Sequence, residues 1–172
     1  MVFPVLNTKR LLLRQLDDGD YNEIFALRSN DEVNQYIMRT KPTNIEEVKS
    51  FIKTINEGII KNNSLYWAIC LNNSRKPIGT ICLWNFSANR KIGEIGFELH
   101  PAYQGRGIMN EALASVINYG FNEAGLMTIE AYTHKDNRRS ANLLKKNNFK
   151  MDESRLDQDD MNNVIYTLTG KS

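Results

Sequence analysis

The amino-acid sequence predicts a mixed α+β fold, an α/β or α+β sandwich rather than a doubly wound sheet. Three or four strand-like segments follow one another before the chain reaches a glycine-rich turn, whereas a doubly wound sheet alternates strands and helices throughout. After that turn, helical and strand-like patterns alternate toward the end of the chain.

The chain opens with a strand and one or two short helices. Residues 10–16 alternate partly between apolar and polar side chains, as in a strand with one buried face. Residues 20–28 carry clustered apolar side chains and predict a short helix. Residues 31–37 are a second candidate helix.

A longer helix and a hairpin follow. Isoleucine and valine residues spaced by three or four positions, from Ile45 to Ile59, line one face of a helix. Thr43 and Glu46 match a capping box at its start. Residues 65–71 and 78–86 are strand-like and are separated by a turn-rich link, which predicts a hairpin.

The second half alternates strands and helices around the glycine-rich turn. The predicted elements are, in chain order, a strand over residues 92–99, a helix from about Met109 to Glu123, a strand over 128–133, a helix over 140–147 and a strand over 164–169. Gly125 stands where a C-terminal cap is expected. Asn147 and Asn148 end the later helix, since asparagine tolerates a left-handed turn.

The composition is ordinary for a soluble globular protein. The chain has 172 residues, of which 41% are hydrophobic and 24% charged, and we expect residues 1–172 to form one domain. The net charge of +2 indicates no strongly basic face for nucleic acid. No apolar run approaches the roughly 20 residues that span a bilayer, and the N-terminal segment does not resemble a secretory signal. We therefore expect a cytoplasmic protein that binds neither nucleic acid nor a membrane.

The cysteine and histidine positions do not predict a metal site. Cys70 and Cys82 lie in apolar strand-like segments. They are either buried free thiols, as expected in the cytosol, or a disulfide if the two strands pair. Neither cysteine is near a histidine in ligand spacing, and His100 and His134 are far apart in the sequence. We expect no metal.

The glycine-rich turn has the sequence Tyr103-Gln104-Gly105-Arg106-Gly107-Ile108-Met109. A helix N-terminus leaves several backbone N–H groups without a partner in the helix and carries partial positive charge, which suits a phosphate. Gly105 and Gly107 allow positive φ and a close approach of the backbone to a ligand. Two glycines alone more often form only a tight turn, so the phosphate interpretation depends on the wider sequence.

Two longer patterns resemble the GNAT superfamily of N-acetyltransferases. The order Gln104, Gly107, Met109 is similar to the superfamily's phosphate-binding signature, although a small residue is usual at the last position. Residues 100–113 resemble the branch that includes the ribosomal-protein N-terminal acetyltransferases, where methionine is not unusual at that position. Residues 137–149 resemble a second superfamily pattern, with asparagine in place of the usual glycine before the final phenylalanine.

The resemblance implies a splayed, largely antiparallel central sheet flanked by helices, with acetyl-CoA bound where the sheet opens. The pyrophosphate would be held by the backbone of Gln104, Gly105, Arg106, Gly107, Ile108 and Met109. The pantetheine arm would pair with the backbone around Phe97, Glu98 and Leu99. Asn137 would contact that arm or fix the adjacent loop. The candidates for the adenosine 3′-phosphate are Arg106, Arg138, Arg139 and Lys145.

Acetyl transfer to an amine needs a neutral nucleophile. An α-amino group, with a pKa of about 8, is roughly one-tenth neutral at pH 7, whereas a lysine amine, with a pKa of about 10.4, is almost entirely charged. A general base therefore matters most for a lysine. Glu94 and Glu98 lie on one face of the strand over residues 92–99, where the superfamily often places its base, and both remain candidates.

A general acid can assist the departure of the thiolate. Many members of the superfamily use a tyrosine on the late helix, at the position that Leu144 occupies in this chain. The hydroxyl of Ser140 is the predicted replacement, as the ribosomal branch implies. Tyr132 and Tyr103 are secondary candidates for the general acid.

The implied function is that of an acetyl-CoA-dependent N-acetyltransferase, in which a primary amine attacks the thioester directly. A protein N-terminus is one acceptor, and the alternative is a small-molecule amine such as a polyamine, an amino sugar, an amino acid or an antibiotic. A non-catalytic CoA-binding module is a further alternative. An acidic run within residues 152–160 would lie beside the acceptor and attract a cationic amine. Both a monomer and a homodimer are compatible with the sequence.

Overall fold

The computed structural model describes residues 2–170, so residues 1, 171 and 172 of the predicted domain lie outside the described part. Within that part the chain forms one eight-stranded sheet and four α-helices, a mixed α+β architecture. The strands are β1 (Leu6–Asn7), β2 (Leu11–Gln15), β3 (Leu65–Leu71), β4 (Pro77–Trp84), β5 (Ile92–Leu99), β6 (Thr128–His134), β7 (Lys150–Met151) and β8 (Asn163–Thr169). The helices are α1 (Tyr21–Ser29), α2 (Ile45–Ile60), α3 (Ile108–Asn122) and α4 (Arg138–Lys146). No helix between residues 2 and 170 is long and apolar enough to cross a membrane.

The two faces of the sheet pack against different helices. The larger apolar core lies between the sheet and helices α3 and α4, and it includes the fully buried side chains of Trp67, Leu113 and Leu144. A smaller core joins α1 and α2 to the opposite face through residues such as Ile52 and Ala68. Because successive side chains of a strand point to opposite faces, the same strands supply both cores.

The sheet opens between β5 and β6. The strand order is β1-β2-β3-β4-β5-β6-β8-β7, and within the described residues only the β5–β6 pair is parallel. These two strands pair at three positions, Ile92 with Thr128, Gly93 with Ile129 and Glu94 with Glu130. Beyond Glu94, β5 stays paired with β4 and β6 stays paired with β8. The predicted splayed, largely antiparallel sheet is confirmed.

Several local predictions are also confirmed. The hairpin forms, with β3 and β4 antiparallel. Cys82 lies opposite Tyr66 and Cys70 opposite Pro77, so both cysteines are free thiols. Gly125 and Asn148 have φ of +72° and +66°, the left-handed conformation expected at the ends of α3 and α4.

The predicted helix over residues 31–37 is wrong, because this segment forms consecutive turns. The side chain of Asn34 donates to the carbonyl oxygens of Arg28 and Asn30, and Asn30 Oδ1 accepts from the N–H of Val33. Asparagine side chains that bond to nearby backbone groups compete with the helical pattern. The chain between α1 and α2 is therefore a long loop.

The capping box of α2 is displaced by one residue from its predicted position. Asn44 rather than Thr43 is the N-cap, and its Oδ1 accepts from the N–H of Glu47 at 3.1 Å. The carboxylate of Glu47 accepts in turn from the backbone N–H of Thr43 at 3.0 Å. Glu47 therefore takes the part predicted for Glu46.

Candidate active site

A cavity of about 2210 Å³ opens where β5 and β6 diverge. Its walls come from both strands, from the glycine-rich turn before α3 and from the first turn of α4. Two loops complete it, one over residues 32–38 and one over residues 154–160. Eleven of the predicted catalytic and cofactor residues line it: Glu94, Phe97, Glu98, Leu99, Gln104, Gly105, Gly107, Ile108, Met109, Asn137 and Ser140. The twelfth, Arg106, does not.

The glycine-rich turn brings a helix N-terminus to the cavity. Gly105 and Gly107 have φ of +74° and +71°, and Gly107 is the N-cap of α3. No side chain in residues 2–170 caps this helix, so its first N–H groups lack an intrahelical partner and a cap. The side chains of Ile108 and Met109 are buried in the core and fix the start of the helix against the sheet. These features fit the pyrophosphate of acetyl-CoA.

Gln104 connects the turn to β5 and to α4. Its Nε2 donates to the carbonyl oxygen of Leu99 at 2.9 Å, and its Oε1 accepts from Arg139 at 2.6 Å. Arg139 also forms an ion pair with Glu32 of the 32–38 loop at 3.0 Å. Through Arg139, the 32–38 loop is therefore connected to Gln104 of the glycine-rich turn.

The basic residues around the cavity differ from the predicted set. Arg138 and Arg139 line it, as does Lys146, which was not among the candidates for the 3′-phosphate. The side chains of Arg106 and Lys145 do not line it. Positive charge at this end of the cavity therefore comes from α4 rather than from the glycine-rich turn.

Arg10 and Glu111 stabilise the glycine-rich turn from outside the helix through hydrogen bonds and an ion pair. Arg10 Nη1 donates to the carbonyl oxygen of Arg106 at 2.9 Å, and Arg10 Nε pairs with Glu111 Oε2 at 2.6 Å. The hydroxyl of Thr8 donates to Glu111 Oε1 at 2.6 Å. Burial opposes ionisation of Glu111, but these hydrogen bonds outweigh it and lower its pKa. Arg10 and Glu111 are 101 positions apart, so no local pattern in the sequence could have linked them.

We expect Arg10→Ala to weaken acetyl-CoA binding about 10-fold. The substitution removes a charge-assisted hydrogen bond to Arg106 and leaves the Glu111 carboxylate unneutralised beside the anion site. Isothermal titration of acetyl-CoA measures the change. Lys9→Ala, which removes an exposed positive charge from the same segment, is the control. Equal affinities of the wild type and both variants would show that Arg10 does not support the turn.

One edge of β5 is open over its C-terminal half. Residues Ile95 to Leu99 pair with β4 but have no partner in β6. A free strand edge presents N–H and C=O groups to any extended chain that lies beside it. Phe97, Glu98 and Leu99, the residues predicted to meet the pantetheine arm, are on this edge and line the cavity. The free edge of β5 therefore offers the backbone N–H and C=O groups with which an extended pantetheine arm could pair.

Glu94 lies at the last paired position, where β5 and β6 part. Its Oε2 accepts from Asn85 Nδ2 at 3.2 Å. Burial raises the pKa of Glu94; the Asn85 hydrogen bond opposes this, and the nearby carboxylates of Asp157 and Glu130 add to it. A cavity carboxyl group with a raised pKa is suited to accept a proton near neutral pH.

Glu98, the other candidate base, is engaged by protein partners. Its Oε2 forms an ion pair with Arg39 Nη1 at 2.7 Å, and its Oε1 accepts from the hydroxyl of Thr80 at 3.4 Å. Both charged side chains are mostly buried. Arg39 also donates through Nε to Asn34, so Glu98 anchors the loop between α1 and α2 to β5.

The start of α4 holds Asn137 and Ser140 together. Asn137 is the N-cap, and its Oδ1 accepts from the N–H of Ser140 at 3.1 Å. Ser140 lines the cavity, whereas Leu144 is fully buried in the core one turn further on. Of the polar groups predicted for this helix, the hydroxyl of Ser140 is therefore the one beside the cavity that could donate a proton.

Tyr132 and Tyr103, the secondary candidates for the general acid, are less suited to that role than Ser140. The hydroxyl of Tyr132 donates to Glu130 at 3.1 Å and accepts from Arg155 at 3.1 Å. Burial, with the carboxylate of Glu130, raises the pKa of Tyr132. Tyr103 does not line the cavity and packs edge-on against His100.

The thiols do not provide a covalent route. Burial raises the pKa of Cys70 to about 11 and that of Cys82 to about 12, so both remain protonated near neutral pH. A thiol is a weak nucleophile compared with its thiolate. No cluster of three potential metal ligands occurs in the described part of the chain.

Comparisons with known proteins agree with this geometry. A family model described as an acetyltransferase (GNAT) domain matches residues 10–150. The chain is 36% identical over 148 residues to the uncharacterized N-acetyltransferase YoaA of Bacillus subtilis (strain 168), an alignment that covers 86% of this chain and 84% of that protein.

Two solved structures share the fold. One is RimL, described as a ribosomal L7/L12 alpha-N-protein acetyltransferase in complex with coenzyme A. It matches with a TM-score of 0.83 and 17% identity, over 96% of this chain and 98% of that chain. The other is FdhC, described as a nucleotide-linked sugar GNAT, with a TM-score of 0.81 and 22% identity over 98% of this chain and 91% of that chain. At such identities the likeness shows the fold alone.

Proposed function

We propose, since this chain belongs to the acetyltransferase (GNAT) family, that it uses acetyl-CoA to acetylate a primary amine by direct attack on the thioester. The observation that carries the proposal is one cavity that joins the uncapped N-terminus of α3 to Glu94 along the free edge of β5. An anion site and a carboxyl base in one cavity are what an acyl carrier and an amine acceptor require. We take residues 1–172 to form a single acetyltransferase domain.

The proposed cofactor contacts follow the walls of the cavity. Backbone groups from Gln104 to Met109 hold the pyrophosphate, and the β5 edge over Phe97 to Leu99 pairs with the pantetheine arm. Asn137 fixes the loop on the α4 side. When bound, acetyl-CoA supplies the activated acetyl group. The chain contributes orientation of two substrates in one cavity, a large part of what such a reaction needs.

Glu94 is the proposed general base. Its raised pKa brings proton acceptance closer to neutral pH, and its position at the branch of β5 and β6 places the carboxyl group inside the cavity. The ammonium form of the acceptor would give its proton to a Glu94 carboxylate oxygen before attack. Glu98 is proposed instead as a positioning residue, since its oxygens already meet Arg39 and Thr80.

A protein N-terminal amine is the first acceptor class that we propose. The likeness to RimL, described as an alpha-N-protein acetyltransferase, supports it. A small-molecule amine is the alternative, and the likeness to FdhC, described as a nucleotide-linked sugar GNAT, supports that. A module that only binds CoA would have no use for the raised pKa of Glu94, which argues for catalysis.

The direct test of the proposed function has two stages. Isothermal titration with acetyl-CoA and with free CoA establishes whether the cofactor binds. Amine-dependent release of the CoA thiol then measures transfer, with peptides and small amines as acceptors. Binding of both ligands together with thiol release supports the proposal. Absence of binding would reduce the turn over residues 104–109 to a structural feature.

Ser140 provides a further expected result. We expect Ser140→Ala to lower kcat about 10-fold and to change acetyl-CoA affinity by less than about 2-fold, since a hydroxyl that assists only the departing thiolate acts in the transition state. Ser50→Ala on α2, which is exposed and does not line the cavity, is the matched control. A loss of affinity with unchanged kcat would instead assign Ser140 to cofactor binding.

A further inference from the structure

We infer that the acceptor of this enzyme is a primary amine carried on an uncharged apolar body. This inference rests on the proposed function and adds the chemical class of the second substrate. It depends on two features of the cavity lining, a pair of carboxylates and a group of exposed apolar side chains.

Two carboxylates lie close together in the wall of the cavity. Glu94 and Asp157 both line the cavity and lie close enough for the Asp157 charge to act on Glu94. Asp157 is 9% exposed, and its oxygens accept from the N–H of Asp159 and from the side chain of Asn163, which hold it in place. Fixed negative charge of this kind attracts an ammonium group and repels an anion.

One cation of the cavity lining is already neutralised. Arg155, in the 154–160 loop, forms an ion pair with the buried carboxylate of Glu130 and donates a hydrogen bond to the hydroxyl of Tyr132. The other lining cations, Arg138, Arg139 and Lys146, belong to α4 on the proposed cofactor side. An acceptor with a phosphate or carboxylate close to its amine would therefore meet net repulsion.

The apolar side chains form what we call the apolar rim, which consists of Ile37, Met38, Trp84 and Leu156. All four line the cavity and are exposed, with Met38 at 83%, Leu156 at 62% and Trp84 at 46%. Large apolar side chains gathered at a cavity mark a surface that is covered when a ligand binds.

Two members of the apolar rim are adjacent to the carboxylates. Trp84 lies directly opposite Glu94 in the β4–β5 register, and Leu156 precedes Asp157 in the chain. Tyr36, next to Ile37, packs against His134 at the end of β6 with ring centroids 5.3 Å apart, which joins the 32–38 loop to the far end of that strand. An indole beside a carboxylate suits an ammonium group with an apolar substituent.

The test compares acceptors that differ in one property at a time. 2-Phenylethylamine carries the apolar body, ethanolamine lacks it, and phenylalanine adds a carboxylate to it. A tripeptide amide that begins with phenylalanine distinguishes a peptide end from a small molecule. We expect 2-phenylethylamine to have a KM at least about 10-fold below those of ethanolamine and phenylalanine. If the tripeptide amide matches or exceeds it, the source is a peptide end.

Binding without turnover gives a second readout. The chain has two tryptophans, and Trp67 is fully buried whereas Trp84 is not. Addition of 2-phenylethylamine to the protein with free CoA should therefore change tryptophan fluorescence. The change should disappear in Trp84→Ala and persist in Ile60→Ala, which removes an exposed apolar side chain far from the cavity lining.

Three variants separate contact from indirect effects. Trp84→Phe keeps a ring but removes the indole N–H, which acts to lower the pKa of Glu94, and Leu156→Ala shortens a rim side chain without touching that carboxyl group. We expect Trp84→Ala and Leu156→Ala to raise KM for 2-phenylethylamine several-fold more than for ethanolamine, with Trp84→Phe close to wild type. Equal losses for both amines would mean that Trp84 acts through Glu94 and would overturn the inference.

The possible outcomes also distinguish the inference from the proposed function. If acetyl-CoA binds and ethanolamine is acetylated as well as 2-phenylethylamine, the acceptor class is wrong and the acetyltransferase function stands. If acetyl-CoA binds and none of the four amines is acetylated, the acceptor class is also overturned. If acetyl-CoA does not bind, both proposals fail together.

Discussion

Gly107→Asp is expected to lower the affinity for acetyl-CoA by at least about 100-fold. The substitution puts a carboxylate at the N-cap of α3, where the pyrophosphate is proposed to bind. Two like charges about 4 Å apart repel by roughly 4 kcal/mol at an effective dielectric constant of 20, and every 1.4 kcal/mol is tenfold in a binding constant. Isothermal titration of acetyl-CoA measures the loss directly.

Two control variants separate charge from backbone strain. Gly107→Asn has nearly the same shape and also tolerates the φ of +71°, but it adds no charge. Gly125→Asp adds a carboxylate to another left-handed glycine, with φ of +72° and no atom within 4 Å of a new Cβ. We expect both to bind acetyl-CoA within about 10-fold of wild type. If Gly107→Asn binds as weakly as Gly107→Asp, geometry rather than charge is responsible.

Glu94→Gln is expected to lower kcat/KM by about 100-fold or more, the usual range for loss of a general base. The amide has the same shape and can still accept from Asn85, but it cannot take a proton. Glu153→Gln, an exposed position outside the cavity lining, is the matched control. Steady-state rates with one amine at saturating acetyl-CoA test the effect. A Glu94→Gln variant with wild-type activity would remove Glu94 from the mechanism.

The pH profile should carry the signature of the raised pKa. Since the base must be ionised to act, kcat/KM of the wild type should fall as pH decreases through the pKa of Glu94, which lies above the usual value of a glutamate. This acidic limb should vanish in Glu94→Gln. If the acidic limb persists unchanged in Glu94→Gln, it arises from the titration of a group other than Glu94.

The same shift predicts the sign of the change in stability. A carboxyl group whose pKa is higher in the folded than in the unfolded state stabilises the fold while it is protonated. That contribution is complete below the unfolded pKa and is lost as pH rises through the folded value. Near neutral pH, where Glu94 is a partly buried charge, Glu94→Gln should therefore unfold at the same or a higher temperature.

Glu98→Gln should behave in the opposite way. It leaves Arg39 largely buried without its charged partner, and breaking such a pair commonly costs about 3–5 kcal/mol. Thermal unfolding of the two variants side by side thus distinguishes a base from an anchor, even if both lose activity.

Local patterns in the sequence predicted most of the elements and the glycine-rich turn. Alternation located β5, the three- and four-residue spacing located α2, and the two glycines located the turn before α3. Each of these signals is carried by residues close together in the chain. The same locality explains the failure at residues 31–37, where the hydrogen bonds of one side chain, Asn34, outweighed a weakly helical composition.

The contacts that distinguish one site residue from another could not be predicted. Glu94 and Glu98 look equivalent on the strand, and they differ because Arg39, which follows the segment wrongly predicted to be helical, pairs with only one of them. Arg10 reaches the turn from the start of the chain. The apolar rim likewise gathers side chains from β4 and from two loops. Such proximity depends on tertiary structure, which a single sequence does not display.

The three residue pairs between β5 and β6 also have a mechanical consequence. They make the sheet two panels, β1–β5 and β6–β8, which share one short seam and diverge beyond it. If the angle between the two panels changes, each atom is displaced in proportion to its distance from the seam. Glu94 sits at the pivot and Ser140 beyond the open end of β6. A change in that angle would therefore displace the proposed proton acceptor least and the α4 wall of the cavity most.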